Sequence, residues 1–146
     1  MTIILSQDVT MFEGVSQFSA KPAKITLYND RFVMEKTEGV PEVVMDTPLN
    51  ELQVGGSMAM LTFTVGELKR RVDFSFAARA AMVAPGGVFT AGALVKQSGI
   101  NTWLTEFKAR KTRVKYLSMG SIWLWSLGAA ALIIAAAVVY AINAVG

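Results

Sequence analysis

Apolar and polar residues alternate along much of the first half of the chain, which is the pattern of β-strands with one buried face. The clearest runs are residues 24–28 and 31–36, and Asn29-Asp30 lies between them. Two such runs separated by a short polar turn predict a β-hairpin.

Further strands are predicted on both sides of this hairpin. An early strand is expected around residues 12–18, a third short strand at 42–45, and a fourth that starts near Leu49 and ends at Gly55-Gly56. Residues 58–65 and 71–76 form a second hairpin through Gly66-Glu67. Short strands at regular spacing favour an antiparallel meander that closes on itself or is capped.

An amphipathic helix is predicted over residues 101–111. Ile100, Trp103, Leu104 and Phe107 recur at helical spacing, and Asn101 is expected to cap the first turn. The apolar stripe is interpreted as the lid of the β structure.

The segment before this helix, residues 77–98, has a weaker pattern. Residues 77–84 favour a helix by propensity, Pro85-Gly86-Gly87 interrupts it, and residues 88–95 are apolar. The preferred interpretation is a last strand with its connecting turn. The alternative is a loop that enters a membrane interface or docks on a partner.

The C-terminal residues 116–146 contain no Asp, Glu, Lys or Arg, and residues 122–142 are continuously apolar or small. At ~1.5 Å per residue this run matches the roughly 30 Å hydrocarbon core of a bilayer. The sequence therefore predicts a transmembrane anchor, with Trp123, Trp125 and Tyr140 as aromatic residues at its two interfaces.

Five basic residues precede this segment, and no basic residue follows it. They are Lys108, Arg110, Lys111, Arg113 and Lys115. Basic residues resist translocation, so residues 1–115 are expected to form a cytoplasmic domain at the cell membrane, with the C-terminus on the far side. The first residues lack the basic and apolar regions of a signal peptide.

Charge divides the chain into two parts. Nine of the eleven acidic residues precede Lys69, whereas ten of the fourteen basic residues lie from Lys69 onward. Lys69, Arg70 and Arg71, together with the five basic residues before the anchor, are candidate contacts for anionic lipid headgroups. Topology alone, or solvated charge in a turn, explains the same pattern, and the choice between these explanations stays open. The position of the cluster does not favour nucleic acid.

The chain has no His and no Cys, which excludes His-assisted nucleophiles, thiol chemistry and the usual zinc ligand sets. The Gly pairs lack the Lys-Ser/Thr of a phosphate loop. We expect no enzyme activity, no cofactor and no metal site.

Three sequence stretches resemble the pleckstrin-homology superfold, particularly its bacterial and GRAM-like branches. They are the hairpin at residues 25–36, the hairpin at 61–76, and Trp103 within the predicted helix. The long apolar stretch 77–98 departs from that pattern. The resemblance implies a split barrel closed by one C-terminal helix, and a recognition or adaptor module rather than a catalyst.

Two functions follow from these expectations. The first is a non-catalytic, single-pass accessory or adaptor subunit of a larger membrane complex, respiratory or transport, in which Gly128, Ala131 and Ala135 provide a helix-packing face for other transmembrane subunits or a second copy. The alternative is a membrane-anchored sensor of anionic lipid headgroups.

Overall fold

The structure, a computed structural model, describes residues 2–13, 19–75 and 87–145, but not the side chains at 87–89, 119, 122–123 and 141–145. Several sequence predictions therefore lie outside the described residues: most of the strand at 12–18, Phe76, and the stretch 77–86. The chain divides into two compact units, Met1–Tyr116 and Leu117–Gly146.

The first unit is rich in β-strands. Its strands are β1 (Ile3–Phe12), β2 (Ala20–Tyr28), β3 (Arg31–Lys36), β4 (Glu42–Pro48), β5 (Gln53–Ser57), β6 (Met60–Val65), β7 (Leu68–Asp73) and β8 (Arg113–Leu117). The helices are α1 (Gly87–Gln97), α2 (Ile100–Ala109) and α3 (Met119–Val145). Both predicted hairpins are confirmed, since β2 pairs with β3 and β6 with β7 in antiparallel register.

The strands form one eight-stranded sheet in the order β4-β3-β2-β1-β7-β6-β5-β8. β1 joins its two halves, because it pairs with β2 along its length and with β7 through Thr10, Met11 and Phe12. β8 lies beside β5: Gly55 adjoins the Lys115 carbonyl, and the Tyr116 hydroxyl reaches the Met58 carbonyl. These contacts advance in the same direction along both segments, so β8 runs parallel to β5.

The sheet curls so that its two halves face each other. β3 and β6 are four strand positions apart, which in a flat sheet is about 19 Å at ~4.8 Å per strand. The rings of Phe32 in β3 and Phe63 in β6 nevertheless stack with centroids 4.4 Å apart. The meander therefore closes over a shared core, as its single apolar face requires.

Helix α2 covers this core with the four residues of the predicted stripe. Ile100, Trp103, Leu104 and Phe107 are all buried, which confirms the predicted lid. The predicted cap is wrong: Gly99 is the N-cap residue and makes no side-chain cap bond. Its φ of 80° is a left-handed conformation that favours glycine.

Residues 87–97 form helix α1, so the preferred interpretation of this part as a last strand is wrong. Ala91 and Val95, one helical turn apart, are both buried, and Leu94 packs against the core. An i, i+4 spacing places such residues on one helical face. The apolar run was read as a strand because its small residues obscure that period.

Two strands differ from their predictions. The first strand ends at Phe12, where it was expected to begin, and β5 continues through Gly55 and Gly56, where it was expected to stop. Gly56 has φ 139°, and a Cβ atom there would lie 2.2 Å from the Met60 carbonyl oxygen. Glycine at 56 thus permits a close backbone approach inside the sheet.

No helix in the described part of the chain combines the length and apolar character needed to cross a membrane. In α3 the uninterrupted run of described side chains is 124–140, about 25 Å long, which is shorter than a bilayer core of roughly 30 Å. The predicted transmembrane helix at 122–142 is therefore wrong. With it falls the predicted fold class, a pleckstrin-homology-like split barrel followed by such a helix. The fold is mainly β, an eight-stranded sheet with three helices.

Candidate functional site

One face of the half-sheet β7-β6-β5-β8 carries polar and basic side chains in two cross-strand rows. In the first row Thr64 lies opposite Lys69 on one side and Gln53 on the other. In the second row Thr62 lies between Arg71 and Gly55. The intervening residues of these strands face the core, since strand side chains alternate between faces. Half of the sheet therefore presents a polar face that the core does not use.

A groove of about 370 Å³ lies on this face. It is lined by Gln53, Val54, Gly55, Gly56, Thr62, Thr64, Lys69, Arg113 and Lys115. Gly55 and Gly56 leave a depression because they have no side chains. Three of the predicted basic residues, from β7 and β8, thus meet around one groove that contains no carboxylate in its lining.

The cations of the groove differ from those on the other half of the sheet. There, Lys21 and Lys36 contact Glu13 at 3.1 and 2.6 Å, and Arg31 contacts Asp46 at 2.7 Å. Among the ion pairs of the described residues, none involves Lys69, Arg113 or Lys115. These three side chains are exposed, so the groove has a net positive charge.

Helix contacts and hydrogen bonds place the other predicted cations elsewhere. Arg110 pairs with Glu106 one turn earlier in α2, and the Arg70 guanidinium donates to the Lys69 carbonyl at 3.2 Å. Lys108 and Lys111 are exposed, one in α2 and the other just after it. Arg71 shares the polar face without lining the groove. The predicted cluster is thus divided, and only part of it forms a site.

Tyr116 holds β8 in position beside the groove. Its hydroxyl donates a hydrogen bond to the Met58 carbonyl in the turn between β5 and β6. Burial raises the pKa of Tyr116 above its ordinary value of 10.0, so the hydroxyl keeps its proton and remains a donor. This contact fixes the strand that carries Arg113 and Lys115.

Sequence reasoning missed the uncharged part of the groove. Thr62 and Thr64 flank the buried Phe63, so the alternation in that strand already separates two hydroxyls from the core. The neighbour relation between Thr64, Lys69 and Gln53 required the strand register.

The second unit offers a different surface. The Ser118 hydroxyl accepts a hydrogen bond of 3.2 Å from the Ser121 amide, which caps the start of α3. Every residue from 124 to 140 is exposed. Trp125 and Leu127 lie about 200° apart around the helix and are exposed by 77% and 63%. No side of this described stretch is therefore covered within the chain.

The predicted packing and interface residues lie along α3. Gly128, Ala131, Ala135 and Tyr140 are exposed, and the side chain of Trp123 is outside the described residues. Gly128 forms a notch between the larger side chains of Leu124, Trp125 and Leu132. A Cβ atom at Gly128 would meet no atom within 4 Å, so the notch is open.

In the described residues no group of three His, Cys, Asp or Glu side chains is placed to hold a metal ion. Comparison with models of known protein families finds no match, and comparison with curated proteins finds no similar sequence. The resemblance to the pleckstrin-homology superfold stays a prediction.

Proposed function

We propose that this protein is a non-catalytic accessory subunit of a larger membrane complex, attached to its partner helices along α3. The observation that carries the proposal is the exposure of large apolar side chains around α3, with Trp125 and Leu132 exposed by 77% and 73%. Burial of one such side chain contributes about 1.5–3 kcal/mol. A helix with this surface gains stability when another apolar surface covers it.

Helices of another subunit are the occupant that the residues favour. Gly128, Ala131 and Ala135 recur on one side of α3, and small residues allow two helix backbones to approach closely. The notch at Gly128 is open to receive a side chain from that partner. The proposal concerns attachment along the helix and does not depend on a crossing. A cytoplasmic location for the β-rich unit stays a prediction from the basic residues that precede α3.

The test is a mild-detergent pull-down of the tagged full-length protein from its native host, with quantitative mass spectrometry. The Gly128→Leu variant fills the notch without a clash inside α3, because the space around that position is empty. Overpacking an interface costs about 1–3 kcal/mol, so recovery of the partner should fall about tenfold or more.

The matched control is Ala130→Leu, which places the same side chain about 200° away on the same helix. We expect this variant to retain a stoichiometric partner with its own apolar helices. Recovery of the chain alone or as its own dimer, or equal loss in both variants, would contradict an accessory subunit docked at this notch.

A second candidate function is sensing of anionic lipid headgroups. One observation favours it: Lys69, Arg113 and Lys115 meet around a single groove.

A further inference from the structure

We infer that the groove on the β7-β6-β5-β8 face binds a phosphate-bearing anion. The groove belongs to the first unit of the chain. The inference is therefore independent of attachment through α3, and the two proposals can fail separately.

The charges of the groove favour an anion. Lys69, Arg113 and Lys115 contribute three positive charges, and the lining contains no Asp or Glu. Within the described ranges these cations have no ion-pair partner, whereas four cations elsewhere are paired with carboxylates. An anion in the groove would meet positive charge that no carboxylate of its lining neutralises.

The uncharged lining suits the oxygen atoms of a phosphate group. The hydroxyls of Thr62 and Thr64 and the amide of Gln53 are hydrogen-bond donors on the floor of the groove. Phosphate oxygens accept several such bonds at once, and bonds to charged groups are the stronger ones. The missing side chains at Gly55 and Gly56 leave room for the ligand above the strands.

The strand order sets the span of the site. Lys69 in β7 and Arg113 in β8 lie on strands three positions apart, which is about 14 Å of sheet at ~4.8 Å per strand. Long basic side chains thus reach inward from both edges over a polar floor. A solvated surface charge needs neither this floor nor this opposition.

Phosphate chemistry has two sources here, a lipid headgroup and a free phosphate. The experiment titrates the isotope-labelled full-length protein in neutral detergent with inorganic phosphate and with pyrophosphate, following the backbone amides of Gly55 and Gly56 by NMR. A parallel arm places the protein in phosphatidylcholine nanodiscs with and without phosphatidic acid.

We expect saturable shifts of both glycine amides and weaker binding with added salt. The Lys69→Gln and Lys115→Gln variants should each weaken binding about fivefold, as expected for one well-placed basic side chain. The Gly55→Thr variant fills the depression and should abolish the shifts. Lys108→Gln removes the same charge from α2, outside the groove, and should leave binding unchanged.

Shifts with the soluble phosphates identify a free phosphate ligand, and shifts with phosphatidic acid alone identify a headgroup. The inference is overturned if neither arm moves these amides, or if Lys108→Gln weakens binding as much as Lys69→Gln. It is also overturned if Gly55→Thr, shown to be folded by its remaining resonances, binds as the natural protein does.

Discussion

The indole Nε1–H of Trp103 donates a hydrogen bond of 2.8 Å to the side-chain oxygen of Gln7. The side-chain amide of Gln7 in turn donates to the Ser98 carbonyl at 3.0 Å. One residue of β1 thus satisfies the polar atom of a buried tryptophan and a carbonyl just before α2. The pair joins the lid to the sheet across 96 positions of sequence.

Replacing Gln7 by Met should therefore destabilise the first unit. The change leaves the Trp103 indole N–H buried without an acceptor, and an unsatisfied buried donor costs about 1–3 kcal/mol. Denaturant unfolding of the full-length protein in neutral detergent, followed by near-ultraviolet circular dichroism, measures the free energy of unfolding. Gln53→Met, at an exposed position of β5, is the control and should change it by less than about 0.5 kcal/mol. Equal stability of the two variants would argue against this link.

The stacking of Phe32 on Phe63 predicts energetic coupling between strands that are distant in the sheet order. In a double-mutant cycle, Phe32→Leu and Phe63→Leu should show a coupling energy of about 0.5–1.5 kcal/mol. Phe32→Leu combined with Val40→Ala should be additive, because Val40 is 87% exposed. Additive effects in the phenylalanine pair would contradict the curled sheet.

Two adjacent glycines should respond differently to the same substitution. Gly56→Ala should destabilise by roughly 1–3 kcal/mol, because its φ of 139° disfavours a side chain and its Cβ would meet the Met60 carbonyl. Gly55→Ala is the control, since its Cβ would make an ordinary contact of 3.6 Å. The midpoints of denaturant unfolding compare the two, and a tolerated alanine at 56 would show that the close approach is not required.

Glu13 should contribute stability that disappears in acid. Hydrogen bonds from Lys36 and then Lys21 hold the pKa of Glu13 below its ordinary value of 4.5. A carboxyl group with a lowered folded-state pKa stabilises fully above its unfolded pKa, and this contribution is lost as the pH falls through the folded pKa. Glu13→Gln should therefore lower the thermal midpoint at neutral pH and have no effect well below pH 4.5.

The control for this pH dependence is Glu38→Gln, in the exposed turn after β3. Its midpoint should follow that of the natural protein at every pH. A Glu13→Gln variant that stays less stable than the natural protein in acid would show that the effect is not carried by this carboxylate's charge.

Local pattern determined much of the β structure and the lid. The alternation at residues 24–36 specified a hairpin, and the spacing of Ile100, Trp103 and Phe107 specified a helix with one buried face, because both are consequences of side-chain direction along a single element. The basic character of the last part of the soluble sequence was also legible from composition.

Only the tertiary structure decided which distant residues meet. The sequence could not show that β8 pairs with β5, that Phe32 stacks on Phe63, or that Lys69 shares a groove with Arg113 and Lys115, because strand order and sheet curvature arise from packing over the whole core. Local propensity also failed where small residues hid the helical period of α1. The apolar run 122–142 was legible as a helix, but its predicted crossing was wrong, because apolar composition specifies that a surface needs cover and not what covers it.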